Sequence, residues 1–592
     1  MLNKRITNSD FCVIGGGFAG ICAAISAARE GAKVVLMHER PVLGGNASSE
    51  IRMWVCGADG ENNRETGIAE EIALENYYRN PTKNYYIWDS VLYDLVIREK
   101  NITLLLNCTC MDAKTEQDNF SYGRNVKIDS VTGYQMTTQT FFEIHSKNYA
   151  DCSGDSILAP LTGAEFRSGR ECAEEFDENT HVKEADKLTM GNSCLIQGRE
   201  TEKKIKFTPP EWSTPLNEEH FKYKNPDIYD PCENFWYLEL GGNKDTIKDS
   251  EEISRELIPL AFGTWNYIKN SGKFRADNWE LDFLGFLPGK RESRRMVGEY
   301  IITEKDITNN TEFDDTVAFG GWTLDDHYPD GFYHDGISNT AIDTPAPYCI
   351  PYRCLYSKNV LNLFFAGRNI SMTHTAMSSI RVMLTCAVMG QAVGTAAAIA
   401  ARFDITPHEV YLKKLDLLQN ILMDNDCFLP NKKRKVSVLC ADTAITNGDD
   451  TLKNGEDRPH RLYHSKCGVS VKNGTFLEYN FDNFEYVGKV HITFDSDLNR
   501  DTLPGGACEK RHSMRSNTLL DSPQFYVPST LCKKFVLEAE DEEKSFIVFE
   551  TVNNLKRSYS IPVNKKVKRL RLTPLSNYGE KDETVIFSFD FQ

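Results

Sequence analysis

Residues 11–40 contain the feature that most restricts the fold of this chain. The stretch FCVIGGGFAGICAAISAAREGAKVVLMHER has an apolar run, a glycine-rich turn, a run of small residues and a second apolar run. Gly15, Gly17 and Gly20 have the spacing G-x-G-x-x-G, and Glu39 ends the second apolar run. In a strand–turn–helix–strand unit these glycines permit a tight turn, close approach of a pyrophosphate and close packing of helix on strand. The sequence therefore predicts a dinucleotide-binding unit in which Glu39 accepts hydrogen bonds from ribose hydroxyls.

A second glycine pair follows directly. Gly44 and Gly45 precede Asn46 in a loop of small side chains, which can lie against a flat ring or a ribityl–pyrophosphate chain. An acid at the end of the second strand repels a 2′-phosphate and so argues against NADP. The N-terminal position of the first motif and this adjacent loop favour FAD as the cofactor.

These motifs together resemble those of a known family. Gly15-x-Gly17-x-x-Gly20, Glu39-Arg40 and Gly44-Gly45 look like the two-dinucleotide-binding-domain flavoproteins. The pattern through residue 403, about two thirds of the chain, is similar to the FAD-dependent oxidoreductase family related to the flavin subunit of heterodisulfide reductase. The segment YADCSGDSILAPLTGAEF (149–166) resembles that family's second FAD signature, which implies that Gly154 and Asp155 lie near the cofactor. The resemblance implies an α/β fold with a Rossmann-like FAD-binding domain of glutathione-reductase type.

One family property has no counterpart here. Relatives of heterodisulfide reductase can carry iron–sulfur ligands spaced C-x-x-C-x-x-C, and this chain has no C-x-x-C among its 17 cysteines. No cluster and no metal site are therefore expected. The apolar surroundings of most cysteines indicate reduced core residues and favour a cytoplasmic location.

A distant segment is predicted to complete the cofactor site. NVLNLFFAG (359–367) has the pattern of a buried strand ending in Gly367, and a small-residue helix is predicted over 378–403. Arg368 and Asn369 would meet the ribityl or phosphate groups. The N-terminus of the helix would face the pyrimidine end of the flavin.

Two residues of this segment are candidates for chemistry. His374 is either the proton-transfer group beside the flavin or a hydrogen-bonded structural histidine. Arg381 meets the flavin carbonyl or an anionic substrate, or it forms an ordinary salt bridge. His327, in the loop GGWTLDDHYPDGFYHDG (320–336), is the second candidate base.

The residues between these motifs are predicted to form an inserted substrate domain, 167–350. Its loops combine aromatic and hydrogen-bonding side chains, a chemistry that suits a polyhydroxylated substrate. Candidate substrate-binding residues are Arg291, Trp322, Tyr352 and Arg353; the arginine cluster near 291 is alternatively a set of interface salt bridges. The discontinuous FAD-binding domain would then comprise 1–166 and 351–428.

After residue 428 the composition changes to short alternating runs separated by turn residues, which predicts an antiparallel β-sandwich over 429–592. Such a domain resembles carbohydrate-binding jelly rolls at the level of fold, or it serves as an interface in a homo-oligomer.

Charge and hydropathy exclude some classes of protein. With 68 basic and 85 acidic residues, the formal net charge of −17 disfavours nucleic-acid binding. No uninterrupted apolar run approaches the length of a membrane span, and the N-terminus has no apolar leader pattern.

The sequence thus predicts an FAD-dependent oxidoreductase that takes a hydride from a hydroxyl-bearing carbon of a carbohydrate or polyol and passes electrons to an unidentified acceptor. Three alternatives stay open: redox-assisted glycoside cleavage through a transient keto sugar, electron transfer like that of the heterodisulfide reductase flavin subunit, and a binding protein on a flavoprotein scaffold.

Overall fold

The computed structural model describes residues 2–117, 121–179, 182–230, 233–460, 467–500, 514, 517–522 and 524–592. In chain order the strands are β1 (Asn3–Ile14), β2 (Val34–Met37), β3 (Ile102–Leu105), β4 (Cys108–Gln117), β5 (Val126–Gln135), β6 (Thr140–Asp151), β7 (Phe166–Arg167), β8 (Asn192–Ser193), β9 (Ile196–Glu200), β10 (Glu239–Leu240), β11 (Trp279–Leu284), β12 (Gly289–Lys290), β13 (Arg295–Met296), β14 (Thr316–Gly320), β15 (Leu324–His327), β16 (Asn339–Ile342), β17 (Tyr348–Pro351), β18 (Leu363–Phe365), β19 (Ile445–Thr446), β20 (Val469–Lys472), β21 (Leu477–Phe494), β22 (Cys532–Glu540), β23 (Ser545–Thr551), β24 (Ser558–Asn577) and β25 (Glu583–Phe591). The α-helices are α1 (Phe18–Arg29), α2 (Ile68–Arg79), α3 (Tyr85–Ile97), α4 (Leu158–Thr162), α5 (Ala173–Phe176), α6 (Ser250–Asn270), α7 (Glu304–Thr308), α8 (His374–Ile380), α9 (Met383–Phe403), α10 (Pro407–Asp424) and α11 (Val438–Asp442).

The chain divides into two compact units. The first contains Met1–Asp59, Thr82–Leu415 and Asp501–Gln524, and the second contains Gly60–Pro81, Asp416–Arg500 and Phe525–Gln592. This division joins the predicted FAD-binding and substrate domains. It also places Gly60–Pro81 in the second unit, whereas the sequence analysis included these residues in the FAD-binding domain.

A seven-stranded sheet forms the centre of the first unit. Its order is β3-β2-β1-β6-β5-β4, and β18 also pairs with β6. β1, β2, β3, β6 and β18 are parallel, so their carboxyl ends meet at one edge. β4 and β5 complete the sheet through antiparallel pairing.

Helices α1 and α9 pack against each other beside this sheet. Both are almost entirely buried, and small residues let their backbones approach closely. A Cβ on Gly390 would lie 2.1 Å from the carbonyl oxygen of Ala19, and one on Gly394 would lie 2.2 Å from that of Ala23. The glycines are therefore required by helix packing.

The helix predicted over 378–403 is interrupted, and this correction matters for the site. α8 ends at Ile380 and α9 begins at Met383, because Val382 is extended with φ −69° and ψ 147°. The N–H of Leu384 donates to the carbonyl of Cys56 at 2.9 Å, a contact that no local pattern predicts. The break places Arg381 between two helices.

The predicted substrate region has its own hydrophobic core within the first unit. α6 packs there with loop residues and β11, and the cluster includes the fully buried side chains of Trp265, Trp279 and Phe235. Short antiparallel pairs, among them β15 with β16, extend from this core. Phe332 of the loop 320–336 belongs to this core, which anchors that loop.

The second unit contains an antiparallel sheet of order β20-β25-β21-β24-β22-β23, with β19 on β21. The predicted C-terminal antiparallel sheet is thereby confirmed, and its arrangement as a two-layer sandwich stays a prediction.

Buried ion pairs tie residues 60–81 to the second unit. Arg500 donates to both carboxylate oxygens of Glu70, at 2.8 and 2.7 Å, and Ser496 donates to the first of them at 2.7 Å. Arg458 donates to the carbonyls of Asn62 and Arg64 at 3.0 and 2.9 Å. These long-range contacts explain why the segment belongs to this unit.

Candidate active site

The candidate site lies at the carboxyl edge of the parallel strands. Ile14 of β1 pairs with Met37 of β2 and with Asp151 of β6, and Asp151 pairs with Phe365 of β18. Four chain segments, distant in sequence, therefore emerge at one place. In open α/β sheets this edge is where ligands bind.

The first glycine turn leaves β1 at this edge. Gly15 has φ +108°, and a Cβ there would lie 2.3 Å from the carbonyl oxygen of Cys152. A Cβ on Gly20 would lie 1.8 Å from the carbonyl oxygen of Gly15. Gly17 is the N-cap of α1, and no side chain caps the helix. Its first-turn N–H groups and the positive end of its dipole remain available for a pyrophosphate.

The second glycine pair lies beside the first turn. Gly44 has φ +112° and donates its N–H to the carbonyl of Gly16 at 2.8 Å. A Cβ on Gly45 would come within 3.1 Å of the Cα of Gly17. Asn46 donates to the carbonyl of Lys290 at 3.0 Å, which ties the loop to the substrate region. The two glycine segments thus form a groove that side chains would fill.

The end of β2 supplies the polar groups expected near a ribose. The Glu39 side chain is 47% exposed, and Arg40 reaches it at 3.5 Å. His38, which sequence reasoning missed, is buried; it accepts from the N–H of Gly16 at 3.0 Å, and its Nε2 lies 3.0 Å from the carbonyl of Val42. His38 therefore holds the glycine turn against the strand end.

The predicted second FAD signature meets the distant loop at Asp155. Its carboxylate accepts from Arg368 and from Lys290, each at 2.7 Å. Burial raises the pKa of Asp155, but the charges of Arg368 and Lys290 outweigh burial and hold the pKa below its ordinary value. Gly154 has φ +78°, and a Cβ there would lie 2.3 Å from Nη1 of Arg368. The ionised carboxylate of Asp155 thus connects the segment 149–166 to Arg368 of the distant loop.

The turn after β18 is built by Gly367, at φ +118°, and Asn369. The amide of Asn369 donates to Asp151 at 3.2 Å, and its buried Oδ1 has no hydrogen-bond partner among the described residues. Among the same residues the buried Nε of Arg368 has no partner either. Buried polar groups without partners are uncommon, so this turn has unused hydrogen-bonding capacity beside the cavity.

These segments enclose a cavity of about 1170 Å³, including its part open to solvent. Its lining includes both glycine segments, the end of β2 and the start of α9, so one ligand in it can contact all of these segments. The predicted residues that line it are Gly15, Gly17, Glu39, Arg40, Gly44, Gly45, Asn46, Gly154, Arg291, Trp322, Gly367, Arg368 and Arg381. Gly20, Asp155 and Asn369 lie behind this lining and support it.

Asp325 lines the cavity close to Arg381. Nη2 of Arg381 donates to the carbonyl and to Oδ2 of Asp325, at 2.9 and 3.0 Å. Trp322, Trp54 and Arg291 also line the cavity. Asp325 belongs to a loop whose polar character was evident in the sequence, but nothing there indicated which of its carboxylates faces the cavity.

His327 lies directly behind Asp325. Its Nδ1 is 2.6 Å from Oε2 of Glu239, and its Nε2 is 3.4 Å from Oδ2 of Asp325. Burial raises the pKa of Glu239, while Arg291 and His327 lower it, and the net effect is a value below the ordinary one. An ionised Glu239 accepts from Nδ1–H of the imidazole and so fixes its orientation.

His374 does not line the cavity. It is buried, with Nδ1 2.9 Å from Glu292 and Nε2 3.1 Å from Asp326. Burial lowers the pKa of His374, but Glu292 and Asp326 outweigh burial and raise the pKa to about 10. This geometry describes an imidazolium held between two carboxylates at neutral pH.

Tyr352 and Arg353 also lie outside the cavity lining. The hydroxyl of the buried Tyr352 donates to the carbonyl of Pro407 at 2.9 Å. Arg353 pairs with Asp315 through two hydrogen bonds, at 2.9 and 3.1 Å. Both side chains have structural partners, and the structure does not bring them to Arg291 and Trp322 in the cavity.

The residues of the cavity fit FAD. The two glycine segments leave a groove beside the uncapped N-terminus of α1, where a pyrophosphate would be held, and Glu39 lies where the ribose hydroxyls would be. Arg368 lines the cavity beside Gly154 and would offer a positive charge to the cofactor there. α9 begins at the cavity without a side-chain cap, so its dipole favours negative charge there.

Among the described residues, one helix, Met383–Phe403, is long and apolar enough to cross a membrane, and 94% of its apolar window is buried inside the protein. Within the described ranges no group of three or more His, Cys, Asp or Glu side chains could hold a metal ion.

The parallel sheet, the glycine turn and the cavity define a dinucleotide-binding flavoprotein class of fold. The family model described as "FAD dependent oxidoreductase" matches residues 10–422. The chain therefore belongs to the FAD dependent oxidoreductase family, and FAD is its cofactor. No match was found among the sequences of curated proteins.

Solved structures resemble the chain at low sequence identity. A geranylgeranyl bacteriochlorophyll reductase-like protein from Thermoplasma acidophilum is 10% identical, with 72% of this chain and 85% of that chain covered and a TM-score of 0.29. E. coli quinol fumarate reductase FrdA is 12% identical, with 71% and 75% covered and a TM-score of 0.28. A family 32 carbohydrate-binding module of Streptococcus pneumoniae EndoD is 12% identical, with 26% and 99% covered and a TM-score of 0.18. Similarities of this size add nothing to the assignment of a substrate.

Proposed function

We propose that this FAD-dependent oxidoreductase oxidises a hydroxyl group of a carbohydrate or related polyol. The observation that carries the proposal is the composition of the cavity beyond the glycine segments. Trp322 and Trp54 offer apolar faces there, and Asp325 and Arg291 offer hydrogen-bonding groups. Indole rings that contact C–H faces, combined with charged hydrogen-bonding groups, suit a polyhydroxylated ligand.

Bound FAD would supply the hydride acceptor. The protein's own residues would bind the hydroxyl group and hold its proton. Asp325 lies on the cavity surface, with a side chain 17% exposed, and Arg381 and Asn339 fix its carboxylate. A substrate hydroxyl that donates to this carboxylate is oriented before reaction.

His327 is assigned as the group that receives the proton through Asp325. Its Nε2 faces Oδ2 of Asp325 at 3.4 Å, and Glu239 holds the opposite ring nitrogen at 2.6 Å. A proton that leaves the hydroxyl at Oδ2 can be shared with Nε2, while Glu239 stabilises the resulting charge. In this proposal His327, a base predicted from the sequence, acts from behind the cavity lining through Asp325.

His374 is not assigned as the base in this proposal. An imidazole whose pKa is raised to about 10 is already protonated at neutral pH and cannot accept another proton. We assign it instead a positioning role, because it holds Asp326, the neighbour of Asp325 on β15.

The test is an anaerobic reduction of the purified, FAD-loaded protein. The visible flavin absorbance is recorded while monosaccharides, glycosides, sugar acids, polyols, amino acids and thiols are added separately. Bleaching by a carbohydrate or polyol, with recovery of its keto or aldehyde product, is the expected result. Release of an aglycone from a glycoside without net oxidation would assign redox-assisted cleavage instead.

Other outcomes would contradict the proposal. Bleaching only by thiols or by a reduced ferredoxin would favour electron transfer related to the heterodisulfide reductase flavin subunit. Flavin that no substrate or reductant bleaches would favour a binding protein.

A further inference from the structure

We propose that Arg381, with Arg291 beside it, binds a carboxylate group of the substrate. The inference rests on the proposed function and narrows its substrate class to acidic sugars, that is, uronic or aldonic acids. It concerns the end of the cavity that contains Trp322 and Asp325.

Arg381 has unused hydrogen-bonding capacity at this position. Every side-chain hydrogen bond that it makes to the described residues comes from Nη2, which donates to the carbonyl and to Oδ2 of Asp325. A guanidinium carries five N–H donors, and no hydrogen bond to the described residues uses the two on Nη1. Since Arg381 lines the cavity, these two N–H groups can donate to a ligand carboxylate in a charge-assisted contact.

Arg291 adds a second guanidinium to the same region. It is 8% exposed, lines the cavity, and donates to Ser193 at 2.6 Å and to the carbonyl of Trp236 at 3.1 Å. Burial lowers the pKa of Arg291, and the nearby charge of Arg381 lowers it further, whereas Glu239 raises it. Two like charges held close together repel each other, and an anion between them would relieve that repulsion.

The neighbouring charges favour a carboxylate over a phosphate. Asp325 shares the cavity surface with Arg381, and Glu239 lies behind Arg291 at 3.2 Å with a side chain only 3% exposed. Lys290 and Arg368, the other nearby cations, are already paired with Asp155. A single nitrogen with free N–H groups, beside an ionised carboxylate, suits a ligand with one negative charge better than a dianion.

The experiment compares matched pairs of neutral and acidic sugars on the FAD-loaded protein. Isothermal titration calorimetry measures the Kd of glucuronate against glucose, of galacturonate against galactose, and of glucose 6-phosphate. We expect the uronates to bind more tightly than their hexoses by on the order of 10-fold to 100-fold, the contribution of a charge-assisted hydrogen bond. Tighter binding of the phosphate than of both uronates would overturn the inference.

Variants separate substrate binding from cofactor binding. Arg381→Gln should raise the Kd of the uronate by a similar factor and raise the Kd of the hexose much less, because the hexose depends on Arg381 only through Asp325. Arg381→Lys keeps the charge but not the planar guanidinium and should recover only part of the loss. The matched control is Arg199→Gln, whose side chain is 52% exposed and pairs with Glu280; it should leave the Kd values unchanged.

The outcomes distinguish this inference from the proposed function. If Arg381→Gln loses FAD and the uronate Kd is unaffected in the reloaded protein, the arginine serves the cofactor and the inference is wrong. If hexoses bleach the flavin and bind as tightly as uronates, the proposed function stands and the inference fails. If the uronate binds through Arg381 but no carbohydrate bleaches the flavin, the carboxylate site stands and the proposed function fails.

Discussion

Replacing His374 with glutamine tests the charge arrangement around this buried imidazole. His374 lies between Glu292 at 2.9 Å and Asp326 at 3.1 Å, and these carboxylates raise its pKa from 6.5 to about 10 despite burial. Glutamine keeps hydrogen-bonding capacity but cannot carry the charge. His374→Gln therefore leaves the buried carboxylate of Glu292 and the partly exposed carboxylate of Asp326 without their shared cation.

The size and the pH dependence of the effect follow from proton linkage. A pKa raised from 6.5 to about 10 corresponds to an upper value of ~5 kcal/mol in favour of the folded state. Because the folded pKa lies above the unfolded one, this stabilisation is fully present below pH 6.5 and is lost as the pH rises toward about 10. The variant should be several kcal/mol less stable at pH 6, and the difference should shrink at pH 9.5.

Tryptophan fluorescence provides the assay, because all seven tryptophans lie between residues 54 and 322, in the first unit. Urea unfolding of wild type and His374→Gln at pH 6, 8 and 9.5 gives the free-energy difference at each pH. His145→Gln, at a half-exposed position, is the control and should change stability by less than about 0.5 kcal/mol. A difference between wild type and His374→Gln that stays constant from pH 6 to 9.5 would refute the imidazolium assignment.

Three further predictions address the second unit and the cofactor groove. Glu70→Gln leaves Arg500 buried without its carboxylate and should destabilise the second unit by about 3–5 kcal/mol, measured by hydrogen exchange of its peptides; pairing it with Arg500→Met should recover part of the loss, and unchanged exchange would contradict the buried ion pair. Gly45→Val places a branched side chain at φ +59°, against the Cα of Gly17, and should abolish FAD retention, read from the ratio of flavin to protein absorbance; normal flavin content would show that the groove is not the cofactor site. Glu39→Gln should weaken FAD binding on the order of 10-fold by removing a charged acceptor, and an unchanged Kd for FAD in the reloaded apoprotein would exclude the ribose contact.

The first cofactor motif could be predicted because its determinants are local. Gly15, Gly17 and Gly20 act within one strand–turn–helix unit; a Cβ on Gly20 would meet Gly15, and a Cβ on Gly15 would meet Cys152 at the end of the adjacent strand. The antiparallel sheet of the second unit was predictable for a similar reason, since apolar and polar residues alternate locally along its strands. FAD and the oxidoreductase family were predicted from these motifs and are confirmed.

The remaining features depend on contacts between distant residues. The break between α8 and α9 depends on Val382 and on a hydrogen bond from Leu384 to Cys56. The assignment of Gly60–Pro81 to the second unit depends on partners more than 300 residues away, such as Arg500 for Glu70. Neither is encoded in local periodicity.

The candidate site illustrates the same limit at the level of side chains. The sequence identified a loop rich in acids and histidines, but it could not tell that Asp325 faces the cavity while His327 lies behind it. It also could not predict that two carboxylates would enclose His374. Which side chains face a ligand is decided by packing, and the roles of these residues stay predictions.

The most direct test of the account is the rate of flavin reduction in Asp325→Asn. The variant keeps the shape of the cavity and should retain FAD, but it removes the carboxylate that receives the hydroxyl proton. In anaerobic stopped-flow mixing with the carbohydrate that best bleaches the wild type, we expect the first-order reduction rate to fall by about 10²- to 10⁴-fold, the usual contribution of general acid–base catalysis. A variant that retains FAD and is reduced as fast as the wild type would contradict the assignment of this cavity end as the site of hydroxyl oxidation.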